Sequence, residues 1–95
     1  MTTKEQHEQK LQAQLDEWKA EIDKLKAKAS SKQIDAKVEY DKEIEKLTYM
    51  KNSVEDKFKK FQESSNEAWE DINVGLHDAL NSLDNAFKSA KSRLK

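Results

Sequence analysis

Ser30-Ser31-Lys32-Gln33 is the stretch on which the fold depends. It fits the Ser-x-x-Gln capping box, in which the serine hydroxyl accepts from the amide three residues on and the glutamine side chain reaches back. On that reading it ends one helix and starts another. Serine is a mild helix former and no outright breaker. The alternative is therefore a continuous helix of about sixty residues running straight through. A second box, Ser64-Ser65-Asn66-Glu67, marks a firmer break, because asparagine tolerates the left-handed conformation that closes a helix. A third, Thr2-x-x-Glu5, opens the chain. The three signals cut the sequence into thirds of about thirty residues.

One apolar stripe runs through these thirds. It comprises Leu11, Leu15, Trp18, Ile22, Leu25 and Ala29, then, past a thin stretch at Gln33 and Ala36, Tyr40, Ile44, Leu47, Met50, Val54, Phe58 and Phe61. It continues at Ala68 or Trp69, Ile72, Leu76, Ala79 or Leu80, Leu83, Phe87, Ala90 and Leu94. The mean step is about 3.6 residues, the α-helical period, and nothing alternates with period two. Strict heptads are not kept for long, which favours nearly straight bundle helices over a rope-like dimer. The chain has no proline and a single glycine, Gly75. It thus omits the residues that cost a helix about 3 and 1 kcal/mol against alanine.

The expected fold class is all-α, an antiparallel three-helix bundle with helices near 3–29, 32–63 and 66–94 in one domain over 1–95. The competing fold is one helix of about sixty residues plus a shorter one, paired as a coiled-coil dimer. Folding the thirds up, down and up puts Trp18, Ile44 and Phe87 in one layer and Leu15, Leu47 and Leu83 in the next. Trp18, Ile44, Leu47, Phe58, Trp69, Leu83 and Phe87 are expected to be the most buried.

Composition narrows the function. Eighteen basic and nineteen acidic residues are interspersed, giving a net charge of −1, so no basic face for specific nucleic-acid binding is present. The absence of cysteine fits a reducing compartment and rules out disulfides and thiolate metal sites. The charged opening Met1-Thr2-Thr3-Lys4-Glu5 offers no secretory leader, and no run approaches the ~20 apolar residues of a membrane span. A soluble, cytoplasmic protein is expected. Acid–base pairs at helical spacing, such as Asp84 with Lys88, Glu21 with Lys24, Glu55 with Lys59 and Glu43 with Lys46, read as a solvated face. They are not crowded carboxylates of the kind acid–base catalysis needs. His7 follows Lys4 and His77 follows Val74 at the spacing where a di-iron Glu-x-x-His motif needs glutamate. One glycine cannot build a phosphate loop. No enzyme, metal or cofactor is expected.

What remains is a contact surface. The first helix has no large apolar residue before Leu11, whereas Phe58, Phe61, Trp69 and Ile72 cluster at the matching end of its neighbours. With only Lys4 and His7 to cover them, these four form a partly wet candidate surface for a weak self-dimer or a partner helix. On this basis Phe61→Glu should leave the helices intact and weaken association. The tail carries Lys88, Lys91, Arg93 and Lys95 without an acid, which suits peripheral contact with anionic lipid or complements a helix C-terminus.

Leu15-Asp16-Glu17-Trp18-Lys19-Ala20-Glu21-Ile22 and Glu67-Ala68-Trp69-Glu70-Asp71, with Asn85-Ala86-Phe87-Lys88-Ser89-Ala90, resemble a small bacterial stress-response coiled-coil family over roughly residues 10–95. Asn66 stands where that family often has glycine, and Leu80 where it often has tryptophan. The resemblance implies a stress-related helical protein without known catalysis or cofactor. The function expected is a non-enzymatic structural or protein-interaction module. The alternative is an amphipathic lipid- or granule-surface protein of apolipoprotein-like character.

Overall fold

The computed structural model describes residues 3–94, which form α1 (Thr3–Ser30), α2 (Ile34–Glu63) and α3 (Trp69–Arg93) with no strand among them. Three contacts fix the directions. Lys4 reaches the carbonyls of Gln62 and Ser64, Arg93 pairs with Glu43, and Lys91 pairs with Glu21. Hence α2 runs antiparallel to both neighbours, and α1 and α3 run parallel. α2 is the middle member, packed along its length by both others. The assembly measures 51 × 20 × 18 Å, whereas a sixty-residue helix alone would extend about 90 Å. The long-helix alternative is thereby excluded, and the all-α three-helix bundle stands.

The chain does turn at Ser30-Ser31, but not through a capping box. The hydroxyls of Ser30 and Ser31 donate backwards, to the carbonyls of Ala27 and Lys28, each at 2.8 Å. The amides of Ser31 and Lys32 likewise bond three residues back, tightening the last turn of α1. The N-cap of α2 is Gln33, in extended conformation and with no side-chain cap bond. The serines therefore act by satisfying the carbonyls that end a helix, not the amides that start one. At the second corner Ser65 closes a turn over residues 66–68 that precedes α3, whose own N-cap is Ala68 with no side-chain cap bond. The Ser65 hydroxyl accepts from the Ala68 amide at 3.1 Å, and its carbonyl accepts from the amides of Ala68 and Trp69. α3 consequently begins at Trp69 and not near 66. Ser64 closes α2 in an extended conformation, and no non-glycine residue among those described has positive φ, so Asn66 supplies no left-handed cap. The Thr2-x-x-Glu5 box includes Thr2, which lies outside the described residues.

The stripe becomes the core. Leu11, Leu15, Trp18, Ile22, Leu25 and Ala29 are buried from α1, and Tyr40, Ile44, Leu47, Val54, Phe58 and Phe61 from α2. From α3 come Leu76, Leu83, Phe87 and Ala90. The layer holding Trp18 and Phe87 is realised as a parallel ring stack with centroids 5.9 Å apart. Trp69 is the exception among the residues expected to be most buried: it is only half-buried, because it sits on the first turn of α3 at the end of the bundle.

Gly75 lies on the exposed side of α3, with no atom within 4 Å of where a Cβ would stand and no positive φ. Nothing there requires glycine. Gly75→Ala is expected to stabilise the bundle by about 0.5–1 kcal/mol. Thermal unfolding followed by circular dichroism should show a Tm higher by about 3–6 °C.

Candidate interaction surface

The aromatic corner is assembled as the sequence suggests, but it is covered in part. Phe61 contacts Trp69 edge-on at 6.0 Å and Phe58 at 6.3 Å, centroid to centroid. Phe58 and Phe61 are buried, Phe61 completely, while Trp69 and Ile72 are half-buried. Lys4 and His7 do the covering. The Lys4 ammonium donates to the carbonyl oxygens of Ser64 (2.6 Å) and Gln62 (3.2 Å), so it caps the negative end of α2 at this corner. The His7 ring sits 5.4 Å from that of Trp69. Of the four residues expected to form a partly wet patch, Phe58 and Phe61 are thus covered, whereas Trp69 and Ile72 keep part of their surface in water. A lysine and a histidine, polar by composition, shield apolar rings when a carbonyl end and an indole lie within their reach.

The basic tail is also spoken for. Lys88 pairs with Asp84 at 3.0 Å, Lys91 with Glu21 at 3.7 Å and Arg93 with Glu43 at 3.1 Å. The last two bridge from α3 to α1 and to α2, so the tail fastens the end of the bundle. Lys95 lies outside the described residues. Glu43 is half-buried beside α3, which explains why it takes Arg93 and not Lys46. Glu55 pairs with Lys51 and not Lys59, and Glu21 takes Lys24 as expected.

Along the α1–α3 seam the backbones come close at few points, and a groove of about 460 Å3 lies between them. Leu11, Trp18 and Leu80 line it together with Lys10, His7 and His77. Both histidines of the chain thus meet one groove, which their sequence positions do not reveal. Among the described residues no three His, Cys, Asp or Glu side chains gather closely enough to hold a metal ion. No helix among the described residues is long and apolar enough to cross a membrane.

The exposed large apolar side chains lie elsewhere. Ile34 is 81% exposed, Tyr49 77% and Val38 46%, all on α2, with Val74 alone on α3. At 3.6 residues per turn the three α2 residues fall within about 60° of one another, on the side opposite Tyr40, Ile44 and Leu47. They form a row about 22 Å long on the outward face of the middle helix.

No protein-family model, curated protein or solved structure matches the chain.

The residues Ile34, Val38 and Tyr49 are missed by a search for one stripe, since each falls off it. The signal that finds them is the complement: β-branched and aromatic residues at i, i+4 and i+15 that share an angle other than the core's.

Proposed function

We propose that this chain is a non-enzymatic protein-interaction module of a stress response, and that its docking surface is the outward face of α2. The observation that carries the proposal is the aligned row Ile34, Val38 and Tyr49, left in water while the bundle buries the large residues of its apolar stripe wholly or in part. A helix laid along that row would meet anchors at helical spacing, as in helix-in-groove recognition. The stress assignment rests on the sequence resemblance alone. The interaction reading is preferred to the lipid-surface one because the cations of the tail are engaged by Asp84, Glu21 and Glu43. Anionic vesicles at low salt should accordingly leave tryptophan emission unchanged; a clear blue shift would favour the lipid surface.

The test is site-specific photo-crosslinking in the producing cell, with a photoreactive phenylalanine analogue placed at Tyr49 or, as control, at Lys19 on α1. A discrete protein adduct from Tyr49 alone is expected. Failure to form any adduct from Tyr49, Val38 or Ile34 positions would rule out docking on α2.

A further inference from the structure

We infer that the occupant of this face is a second copy of the same chain, docked α2 against α2 about a two-fold axis. The inference rests on the interaction reading above and adds the partner and its register. The row is self-complementary when reversed. Placing the axis between Asp41 and Lys42 brings Ile34 of one copy against Tyr49 of the other and Val38 against the stem of Glu45, each twice, as a two-fold interface requires. In an antiparallel pair the residues flanking the row on one side meet those on the same side of the other copy. On one flank Lys46 then falls between Asp35 and Glu39 of the other copy. Lys37, on the opposite flank, falls within reach of the carboxylate of Glu45, which lies in the row itself. All five are exposed, and Glu39 also shares Lys42 of its own chain. A parallel pairing instead sets Ile34 on Ile34 and Tyr49 on Tyr49 and gives Asp35 and Glu39 the Lys37 of the other copy in place of Lys46, so the two registers differ in which apolar residues meet and crosslinking separates them. One feature opposes the antiparallel register, since Asp41 and Lys42 each approach their own copy at the axis. Lys42 is already paired with Glu39 at 3.8 Å, which offsets part of that repulsion. The row is short and both chains keep their own cores, so the dimer is a reversible association of folded bundles.

The absence of cysteine makes the register directly measurable. Single variants Ile34→Cys and Tyr49→Cys are prepared and oxidised mildly, separately and as an equimolar mixture. The antiparallel register predicts that the mixture forms the 34–49 heterodimer about tenfold faster than either variant forms its own homodimer. Homodimers of Ile34→Cys or Tyr49→Cys forming as fast as the mixed species would overturn the register. In sedimentation equilibrium, Lys46→Glu should weaken the dimer by roughly three- to tenfold, and Asp35→Lys with Glu39→Lys in the same chain should restore it. Wild-type protein that stays monomeric at millimolar concentration would overturn the self-partner. A Tyr49 photo-adduct of a mass other than the dimer would do the same while upholding α2 as a docking face. No adduct at all would remove the interaction reading itself.

Discussion

Phe61→Glu is expected to unfold the bundle and not merely to loosen an assembly. Phe61 has no exposed surface and holds Trp69 edge-on and Phe58 face-on at the end where α1, α2 and α3 meet. Removing a buried phenylalanine ring costs about 3–5 kcal/mol in the cavity alone. A carboxylate in its place must also lose its water, which adds several kcal/mol unless it is neutralised. Lys4 lies at that corner, but it already serves the Gln62 and Ser64 carbonyls, and drawing it away would uncap α2. The total compares with the ~5–15 kcal/mol by which a small domain is stable. Helical circular dichroism of Phe61→Glu at neutral pH should fall well below that of the parent, whereas Phe61→Leu should keep its helicity with a lowered urea midpoint. A Glu variant as helical and as urea-resistant as the parent would show that the corner is wet after all.

The difference between this outcome and the one the sequence suggests has a specific origin. Periodicity identifies which residues face inward, because the α-helical step is rigid. The buried residues of α1, from Leu11 to Ala29, coincide with the stripe without exception. Periodicity says nothing of what long polar side chains do at a helix end. Lys4 and His7 count as hydrophilic, yet one aims its ammonium at a carbonyl terminus sixty residues away and the other lies on an indole. Both contacts depend on the antiparallel register of α1 and α2, which exists only after folding. The same holds for the tail: Lys91 and Arg93 look unpaired in sequence because Glu21 and Glu43 belong to other helices.

The turns illustrate a second limit. Ser30-Ser31 and Ser64-Ser65 do mark the corners, and that is enough to give three helices. A serine hydroxyl, however, can accept from an amide ahead of it or donate to a carbonyl behind it, and the local sequence is the same in both cases. Three of the four hydroxyls donate backwards; only Ser65 accepts forwards. The helix count was therefore legible while the boundaries moved by up to three residues, the start of α3 most of all. The candidate surface was hidden by a different effect. Ile34, Val38 and Tyr49 add nothing to an inward stripe, and their common direction becomes meaningful only once α1 and α3 are known to occupy the opposite side of α2.

That opposition makes Leu47 and Tyr49, two residues apart, a decisive pair. Leu47 has no exposed surface and sits in the middle of the one helix that packs against both others, with buried Leu15 and Leu83 in the flanking helices. A cavity there is walled on two sides by rigid helices and cannot easily collapse. Leu47→Ala is therefore expected toward the upper part of the ~2–5 kcal/mol range for such truncations. For a domain of this size that lowers Tm by about 10 °C or more. Because the core is intramolecular, the loss should be the same at every protein concentration, and the association constant of the folded bundles should not change. Tyr49→Lys should behave in the opposite way, leaving the urea midpoint of the monomer within about 0.5 kcal/mol of the parent while abolishing dimer formation. In a coiled-coil dimer of long helices, Leu47 would be part of the intermolecular seam, so Leu47→Ala would dissociate the chains and melt them together. Denaturation and sedimentation on the two variants separate these cases: linked loss of helix and assembly in Leu47→Ala would refute a bundle that folds first and associates afterwards.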